Sequence, residues 1–551
     1  MFALICHFVF SYVLVMKNIL KILTILSLPL LLSACGGGGG GGGAAGEAVG
    51  GGTIVACSGD SSSHADAEYN YMGGATSAGS GTGKYGLGTV CAGAAYARGA
   101  TGDGQLVAVL DTGISVSGTS TNINNINANI ATFLTGSDVV NNDNVPQDDD
   151  RASGIGTDCP TSGSYKDIGC GHGSHVAGLI ASENNGSFGH GIAYDATLHI
   201  IKVLDDEGSG TFADIATGMD LARGVSSMDI VNISIGNSGV IGSSCNSASS
   251  CETHLGSPIY TAMEALGTAD IIQVYAAGNS ANSSPSSLAG AAIYDDDFKE
   301  TTVIAVAIDS TGNLASYSDK CGVASAICLA APGSLLYSNM SSNAQSTYGQ
   351  NTYNQSMSGT SQAAPLVSGG LAIVKEEFSS LTNAQVVDRL LATATDTGEY
   401  AKSTIYGHGL MNLSAATAAV ASLQTIGGSN LLDDQNTSYY DLANNTFTSS
   451  AAFSNALSAA LVGQRMEVYD SFDRANFDVS IADFFTSGSY TSQNTIENHM
   501  SRLEPKTTKK VKNKNLYGSF TVETDGNYIE SSMFQSAGDF LALGFNQSTN
   551  S

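Results

Sequence analysis

Short apolar runs that alternate with helical patterns constrain the fold of this chain more than any other feature. Leu106–Leu110 is continuously apolar, which is typical of a strand buried on both faces. Helical spacing of apolar residues occurs over 176–180 and 212–222. Strands of the buried type that alternate with helices predict an α/β fold with a mostly parallel central sheet flanked by helices. The later runs of the same type are His199–Leu204, Ile230–Ile235, Ile271–Ala276 and Thr302–Ala307.

The charge balance excludes one class of partner. The chain has 551 residues and a formal net charge of −28, although only 13% of its residues are charged. Nucleic-acid-binding proteins need a basic face, so we expect no nucleic-acid partner. A hydrophobic fraction of 42% is sufficient for a large core. No pattern in the sequence indicates an oligomeric state.

The first 35 residues are typical of an export signal rather than of a folded segment. Met16 is a second candidate start, and Lys21 precedes the apolar run Ile22–Leu32. The segment closes with the sequence LSAC, which ends at Cys35 and resembles a bacterial lipobox. This resemblance implies lipidation of Cys35 and anchoring at the bacterial outer membrane or cell surface, with later release left open. The alternative is a plain signal peptide that ends at a cysteine.

Ten cysteines are present, and Cys6 and Cys35 fall within the export segment. The other cysteines form close neighbours along the chain, which favours disulfides in an exported protein. Eight cysteines allow roughly 100 connectivities, so pairing by proximity is a hypothesis. We expect no metal site from them, because no Cys-x-x-Cys pair or neighbouring histidine cluster occurs. The neighbouring pairs are Cys57 with Cys91, Cys159 with Cys170, Cys245 with Cys251, and Cys321 with Cys328.

Ser361 is the candidate nucleophile. It follows Gly359-Thr360 and precedes an apolar run with helical character that contains Pro365. A serine at the start of a helix lies where backbone N–H groups and the macrodipole stabilise developing negative charge. Pro365 fits only in the first turn, which predicts a helix start near Thr360 or Ser361. The alternative is a Gly-Thr-Ser turn that caps an ordinary helix.

Three further residues offer what a serine nucleophile needs. His172 is the candidate base, because glycines flank it at a predicted helix start. Asp111 follows the first apolar run and offers a carboxylate to fix the imidazole tautomer. Asn279 offers a side-chain N–H to an oxyanion, and the backbone N–H of Ser361 offers a second. Taken singly, each has a structural alternative, since lone histidines pack in cores and Asp-x-Gly is common turn chemistry.

Together these motifs resemble those of the subtilisin-like serine proteases (subtilases, peptidase family S8). The resemblance covers about residues 90–425 and implies a three-layer subtilisin-like fold. It also implies an exported serine endopeptidase that hydrolyses protein or peptide substrates through an acyl-enzyme. Asp111, His172 and Ser361 then form the triad, in the family's order, and Asn279 is the oxyanion donor. The matching segments are Val107–Gly113, Gly171–Gly178, Ala276–Asn279 and Gly359–Pro365.

The same resemblance implies where a substrate binds. In the family, two strands hold the peptide backbone as an added strand, and small residues leave room for it. The matching positions here are Gly208-Ser209-Gly210 and Ser234-Ile235-Gly236. Ala276-Ala277-Gly278 is expected to line the first specificity pocket. Gly-Ser-Gly is also ordinary loop composition, so that alternative stays open.

A narrower resemblance is to the subtilase passengers of bacterial autotransporters. It rests on Cys321 with Cys328, on Tyr406–Asn412 and on the entry segment Ala94–Gly104. An autotransporter ends in a membrane β-barrel of at least eight strands of about ten residues, for which the roughly 35 residues after the Lys-rich segment Arg502–Lys514 are too few. We therefore expect either a fragment or a lipoprotein protease with a small β tail. The predicted organisation is a signal over 1–35, a Gly-rich tether and linker over 36–89, a catalytic domain over 90–425, a connector over 426–515 and a short β-rich tail over 516–551.

No cofactor is expected. The acidic runs Asp148–Asp150 and Asp295–Asp297 suggest calcium, but carboxylates in such loops are more often solvent-facing turns. The main alternative function is a catalytically silent surface adhesion or binding protein on the same scaffold. Its expected signature is the loss of a catalytic group, and all four groups are present in the sequence.

Overall fold

The structure is a computed structural model of the chain. It describes residues 86–114, 133–142, 144, 146, 171–185, 189–205, 208–339, 354–427, 438–441, 447–450, 463–480, 485–488, 508–513, 516–522, 529–536 and 539–543. The chain divides into two compact units, one formed by residues up to 422 with 470–475, and the other by the rest from 423. In these described ranges, no helix has the length and apolar character needed to cross a membrane.

The first unit is built on a seven-stranded sheet in which every neighbouring pair of strands is parallel. The strands are β1 (Leu106–Asp111), β2 (Phe133–Asp138), β3 (Thr197–Lys202), β4 (Ile230–Ile233), β5 (Ile272–Ala276), β6 (Thr302–Ile308) and β7 (Cys328–Pro332). Their order across the sheet is β2-β3-β1-β4-β5-β6-β7. The predicted α/β fold with a mostly parallel sheet is therefore confirmed.

The five apolar runs of the sequence correspond to β1, β3, β4, β5 and β6. The two edge strands, β2 and β7, were not predicted. The sequence of β2, FLTGSD, mixes glycine and polar residues, and β7 is short and ends at Pro332. An edge strand tolerates such residues because only one of its sides has to pair. The mixed composition of β2 explains why it was missed, whereas β7 is apolar and buried throughout and was missed although it shows the same pattern as the inner strands.

Helices flank this sheet, and the hairpin of β8 (Leu336–Asn339) with β9 (Asn354–Met357) is antiparallel. Several helices begin with side-chain caps that the sequence encodes, such as the capping box of Thr211 with Asp214. The helices are α1 (Ala92–Tyr96), α2 (His172–Ala181), α3 (Phe212–Arg223), α4 (Ala248–Leu255), α5 (Ser257–Thr268), α6 (Ser287–Gly290), α7 (Asp296–Lys299), α8 (Thr360–Glu377), α9 (Asn383–Ala392), α10 (Ser403–Tyr406) and α11 (Leu413–Ala416).

The helices cover both faces of the sheet and give the unit three layers. Helices α3 and α5 pack on one face, where Ala108 and Leu110 of β1 join Met219 and Met263 in one apolar core. The alternate residue Val109 is also fully buried and faces the other side. Helices α2 and α8 pack against each other and against β1. Burial on both faces explains why β1 is apolar throughout.

The parallel arrangement places the carboxyl ends of all seven strands at one edge of the sheet. Asp111 ends β1, Ser234 follows β4, and Asn279 follows β5 after two small residues. The strand order reverses direction around β1, which has β3 on one side and β4 on the other. This is the region of an open α/β sheet where ligands usually bind.

In the residues that the structure describes, the second unit is made mainly of strands. Strands β10 with β11, β13 with β14, and β16 through β19 pair antiparallel, whereas β12 and β15 pair parallel. The region expected as a connector, 426–515, thus contains several strands. The bounds are β10 (Leu423–Gly427), β11 (Ser438–Asp441), β12 (Phe447–Ser450), β13 (Arg465–Asp470), β14 (Asn476–Ser480), β15 (Phe485–Gly488), β16 (Thr508–Asn513), β17 (Leu516–Val522), β18 (Ile529–Ser536) and β19 (Asp539–Leu543).

Two of the predicted disulfides are present. Cys245 is bonded to Cys251, with 4.8 Å between their Cα atoms, and Cys321 to Cys328, with 5.8 Å. Cys91 is also disulfide-bonded. The remaining predicted members lie outside the described residues: Cys57, Cys159 and Cys170.

A buried arginine holds the segment 470–475 to the first unit. The Arg389 side chain of α9 is fully buried, and its Nη1 lies 2.8 Å from Asp470 Oδ2 and 2.7 Å from Asp473 Oδ1. Its Nε also donates to the carbonyl of Ala416 at 2.7 Å. Burial opposes ionisation of Asp470, but hydrogen bonds from the Val420 N–H and from Arg389 outweigh it and lower the pKa of Asp470.

We predict that Arg389→Met strongly destabilises the first unit, by about 3–5 kcal/mol in the free energy of unfolding. Methionine fills much of the same space, but it leaves two buried carboxylates without their countercharge. Denaturant unfolding measures the loss. The matched control is Arg223→Met, which removes an exposed pair with Asp220 and is expected to cost about 0–1 kcal/mol. Equal midpoints for the two variants would contradict the assignment.

Candidate active site

Asp111 and His172 meet at the carboxyl end of β1. Asp111 is the last residue of β1 and is fully buried, and His172 is the first residue of α2 with 21% of its side chain exposed. His172 Nδ1 lies 2.7 Å from Asp111 Oδ1, which also accepts the Thr112 N–H at 2.7 Å. Because a carboxylate oxygen accepts, the proton of the neutral imidazole lies on Nδ1. Nε2 is therefore the basic nitrogen.

Two glycines allow this approach of helix to strand. A Cβ added at Gly173 would lie 2.1 Å from the carbonyl oxygen of Gly113, so only glycine fits there. The Gly173 N–H donates to Thr112 Oγ1 at 2.9 Å, which fastens the start of α2 to the end of β1. Gly171 precedes the helix with a φ of 72°, in the left-handed region that favours glycine. The glycines around His172 thus have a specific geometric role.

Sequence reasoning missed Lys202, which lies directly behind this corner. Lys202 pairs with Asp111 in the register of β1 and β3, and only 2% of it is exposed. Its Nζ donates to the carbonyl oxygen of Thr112 at 2.7 Å. A lone lysine at the end of an apolar strand was the available signal, because lysine is seldom fully buried without a partner.

Ser361 is the second residue of α8, as the sequence analysis predicted for the helix start. Its Oγ donates to the carbonyl oxygen of Ser234 at 3.0 Å. The predicted position of Pro365 in the first turn is wrong, because the helix begins at Thr360 and Pro365 lies one turn further in. Proline has no N–H for the carbonyl four residues earlier, which is that of Ser361. Ser234 Oγ donates to this carbonyl instead, at 2.9 Å.

A buried polar chain supports Ser234. Asn232 lies in β4, and its Nδ2 donates to Ser234 Oγ at 3.0 Å. Its Oδ1 accepts from the hydroxyl of Ser368, two turns along α8, at 2.9 Å. These contacts tie the start of α8 to β4 at two points, so the position of Ser361 is set by the sheet. Nothing in the apolar pattern of β4 marked Asn232, although a polar residue inside a buried strand indicates a hydrogen-bonded role.

Asn279 is oriented by the start of α8. Its Oδ1 accepts from the Thr360 backbone N–H at 2.8 Å and from the Thr360 hydroxyl at 3.0 Å. These two donors fix which end of the amide is the oxygen, so Nδ2 is directed elsewhere. A Cβ placed on Gly359 would lie 3.4 Å from Asn279 Nδ2 and 3.5 Å from the backbone nitrogen of Ser361. The two predicted oxyanion donors therefore lie close to one point beside Gly359.

A cavity of about 340 Å³ opens beside Ser361. Of the residues predicted to bind substrate, Gly236, Ala276 and Gly278 line it, together with Asn279. Ala277 was predicted with them but is fully buried in the apolar core, since its side chain alternates to the other face. The described residues that line the cavity are Gly236, Asn237, Ser238, Ala276, Gly278, Asn279, Ser280, Asp319, Thr360 and Ser361.

The other predicted cleft residues lie apart from this cavity. Ser234 and Ile235 are nearly buried at the end of β4, with exposures of 4% and 8%. Gly208-Ser209-Gly210 is exposed. This segment forms a turn in which the Ser209 N–H donates to Asp205 Oδ1 at 2.7 Å and the Asp205 N–H donates to the Ser209 carbonyl at 2.8 Å. Its predicted role in holding a peptide remains a prediction.

The acidic runs proposed for calcium differ in what the structure describes. Asp148–Asp150 lies outside the described residues. Asp295 and Asp297 bring carboxylate oxygens within 4.8 Å of one another and of Glu264. Asp295 also caps α7 by accepting from the Asp297 N–H at 3.0 Å, which is ordinary turn chemistry. Burial, and then the charges of Asp295 and Asp297, raise the pKa of Glu264.

The fold and this site define a class of α/β proteins with an Asp–His pair and a serine at a helix start along one edge of a parallel sheet. The chain belongs to the subtilase family (peptidase S8), whose profile matches residues 102–409. Family membership indicates a serine peptidase that acts on proteins or peptides. The matched region contains Asp111, His172, Asn279 and Ser361.

Curated relatives support the same family. Subtilisin DY of Bacillus licheniformis is 33% identical over 334 residues, which cover 60% of this chain and 97% of the relative. Subtilisin Savinase of Lederbergia lenta is 34% identical over 336 residues, which cover 60% of this chain and 98% of the relative. A solved structure described as proteases from Pseudoalteromonas arctica PAMC 21717 is 25% identical, covers 59% of this chain and 92% of its own, and gives a TM-score of 0.43.

We predict that Ser234→Ala destabilises the fold by about 1–3 kcal/mol, because it leaves the Ser361 carbonyl without the donor that replaces the Pro365 N–H. Denaturant unfolding measures the effect. Ser238→Ala is the matched control, since Ser238 is exposed and its loss should change stability by less than about 0.5 kcal/mol. If Ser234→Ala proves as stable as this control, the hydrogen bond from Ser234 to the Ser361 carbonyl does not contribute to stability, and the missing N–H of Pro365 needs no replacement.

Proposed function

We propose that the protein is an exported serine endopeptidase, in which Ser361 attacks a peptide carbonyl and forms an acyl-enzyme. The proposal rests chiefly on one observation, the 2.7 Å contact between His172 Nδ1 and the buried Asp111 carboxylate. This contact leaves the other imidazole nitrogen as a base with a fixed tautomer. A histidine with a purely structural role does not require a buried carboxylate as its partner, nor a position close to a helix that begins with a serine.

The proton moves between Ser361 and His172. In this mechanism the Ser361 hydroxyl, which donates to the Ser234 carbonyl at 3.0 Å, exchanges that acceptor for His172, and such catalytic contacts often tighten only when substrate binds. His172 Nε2 then takes the proton as Oγ attacks. The imidazolium forms next to Asp111, where a buried, low-dielectric environment strengthens the attraction. Asp111 Oδ2 is buried and makes no hydrogen bond with the described residues, since the contacts from His172 and Thr112 are both to Oδ1.

The negative charge of the tetrahedral intermediate develops on the former carbonyl oxygen. Asn279 Nδ2 and the Ser361 backbone N–H are the donors for it, and both are held before the reaction begins. His172 then returns its proton to the leaving amine, so the peptide bond breaks as the acyl-enzyme forms. Water, activated by the same imidazole, later hydrolyses the ester and frees Ser361.

The second candidate function is a catalytically silent surface adhesion or binding protein on this scaffold. It predicts that one group of the set is displaced or replaced. The Asp111–His172 contact and the capped Asn279 amide favour the peptidase over this alternative. Labelling of the nucleophile separates the two functions directly.

A fluorophosphonate probe should label the wild-type chain at Ser361 and fail to label Ser361→Ala. The reagent reacts with a serine hydroxyl that a base activates, so labelling reports a functional serine and base rather than a correctly folded chain alone. Ser358→Ala is the matched control, because Ser358 lies three residues away and its Oγ accepts the Leu335 N–H at 2.8 Å. Equal labelling of Ser361→Ala and wild type would refute Ser361 as the nucleophile.

Replacing Asn279 tests the oxyanion donor. We expect Asn279→Ala to lower kcat by about 10²–10³-fold, the magnitude known for loss of this type of donor in subtilisin itself. Asn279→Asp keeps an acceptor for the Thr360 N–H but has no N–H to donate, so it should lose turnover as well. Near-normal kcat for Asn279→Asp would reduce Asn279 to a helix cap.

We further propose that the chain works outside the cytoplasm, anchored through lipidated Cys35, and is related to autotransporter passengers. The Cys321–Cys328 disulfide supports an oxidising compartment. Two of the three segments of that narrower likeness also lie together, since the His408 N–H donates to the Cys328 carbonyl at 2.8 Å.

Metabolic labelling with a fatty-acid analogue tests the anchor. We expect label and membrane association for the wild-type chain, and loss of both for Cys35→Ser. Cys6→Ser should behave as wild type, because Cys6 precedes the alternative start at Met16. A labelled Cys35→Ser chain would contradict the lipobox interpretation.

A further inference from the structure

We propose that Asp319 makes the cavity beside Ser361 selective for a lysine or arginine side chain on the carbonyl side of the cleaved bond. The inference rests on the proposed peptidase function and names its substrate class. Asp319 lines the same cavity as Ser361 and Asn279, but it comes from the segment after β6, far from the motifs in the sequence. A substrate side chain that enters next to the attacked carbonyl therefore meets this carboxylate.

The cavity offers charge rather than apolar area. Of its described lining residues, Asp319 is the one with a charged side chain, and Ala276 is the one with an apolar side chain. The rest are glycine, serine, threonine and asparagine. With Ala276 as the one apolar side chain of this lining, a large apolar substrate side chain finds little apolar side-chain surface to pack against. A cation, by contrast, gains from a carboxylate in a poorly solvated wall.

Backbone hydrogen bonds hold the Asp319 carboxylate in place. Its own N–H donates to the Gly278 carbonyl at 2.9 Å. Its Oδ1 accepts from the Ser280 N–H at 3.1 Å and from the Asn282 N–H at 2.6 Å. Only 2% of Asp319 is exposed, so water screens its charge weakly. The carboxylate is therefore both fixed and desolvated, as recognition of a cationic group requires.

The second carboxylate oxygen retains capacity to accept. Oδ2 has one contact, from Asn282 Nδ2 at 3.3 Å, which is long for an N–H···O bond. A carboxylate oxygen accepts about two hydrogen bonds, so a donor from a ligand can be added. No ion pair joins Asp319 to a basic side chain in the described part of the chain. A guanidinium or ammonium group would supply that missing countercharge.

Gly278 keeps the path to this oxygen clear. A Cβ added at Gly278 would lie 2.3 Å from Asp319 Oδ2, and the residue has a φ of 123°. Gly236 follows the neighbouring strand β4, and a Cβ added there would have the Gly278 Cα, at 3.9 Å, as its nearest atom. Two neighbouring glycines thus line the cavity without side chains, and the Asp319 carboxylate lies next to one of them.

The competing explanation is that Asp319 only fastens the loop over 278–282. An asparagine at this position keeps one acceptor oxygen for the two backbone N–H groups but removes the charge. The two explanations therefore predict different results for Asp319→Asn. If Asp319 only fastens the loop, the substitution should change substrate selectivity little; if Asp319 binds a cation, the preference for basic side chains should be lost.

The test is a series of peptide substrates that differ only in the residue before the cleaved bond: arginine, lysine, glutamine, leucine, phenylalanine and glutamate. For wild type we expect kcat/KM to be at least about tenfold higher for arginine and lysine than for glutamine, the ratio that one hydrogen-bonded charge pair supplies. Asp319→Asn should reduce the arginine-to-glutamine ratio by about 10- to 100-fold. Asp296→Asn removes a carboxylate with 99% side-chain exposure and should leave the ratio unchanged.

A wild-type preference for leucine or phenylalanine, or an unchanged ratio in Asp319→Asn, would overturn the proposal. The same experiment separates it from the function on which it rests. If the fluorophosphonate labels Ser361 but arginine is not preferred, only the selectivity fails. If no serine is labelled, the peptidase assignment fails.

Benzamidine then tests the cavity without turnover. By calorimetry on the Ser361→Ala chain we expect one benzamidinium bound, and binding weakened at least tenfold by the added Asp319→Asn. Equal binding by the two chains would refute a cation site at Asp319.

Discussion

The hydrogen bond between His172 and Asp111 depends on two chain segments that approach more closely than side chains allow. Gly173 lies against the backbone of Gly113, and Thr112 joins the two segments through its hydroxyl. The parallel sheet brings the ends of β1, β4 and β5 to the same edge, so the Asp111–His172 pair lies at the same edge as the residues that follow β4 and β5. A helix that starts at this edge then points its N-terminal N–H groups at the same region.

The position of Ser361 depends on interactions that compensate for a missing hydrogen bond in α8. Pro365 removes one hydrogen bond from α8, and the carbonyl left without a donor belongs to Ser361 itself. Ser234, at the end of β4, donates a hydrogen bond to this carbonyl, and Asn279 accepts one from the Thr360 N–H. The start of the helix is therefore held from outside by two strand ends. We infer that this external support is what aligns the serine with groups far away in the sequence.

Apolar continuity was a reliable signal for the inner strands and failed for the edge strands. It identified β1 and β3 to β6, which are buried strands between two neighbours. The edge strand β2 mixes glycine with polar residues, and β7 is apolar and buried but is a run of only five residues that ends in proline. The four motif residues were visible because each follows an apolar run or precedes a helix. Lys202 and Asn232 were not, since their roles come from partners in other strands. A linear pattern contains no information about such partners until register is known.

Asp319 illustrates the same limit and shows what the fold adds. In the sequence it stands in an ordinary polar turn, and its importance arises only because that turn runs beside Gly278. A buried carboxylate is costly, and here two backbone N–H groups and an asparagine amide offset part of the cost. A neutral side chain could fasten the loop with the same donors and without a buried charge. Retaining a charge at the wall of an otherwise neutral, small-residue cavity is therefore easier to explain by a cationic ligand than by the stability of the loop.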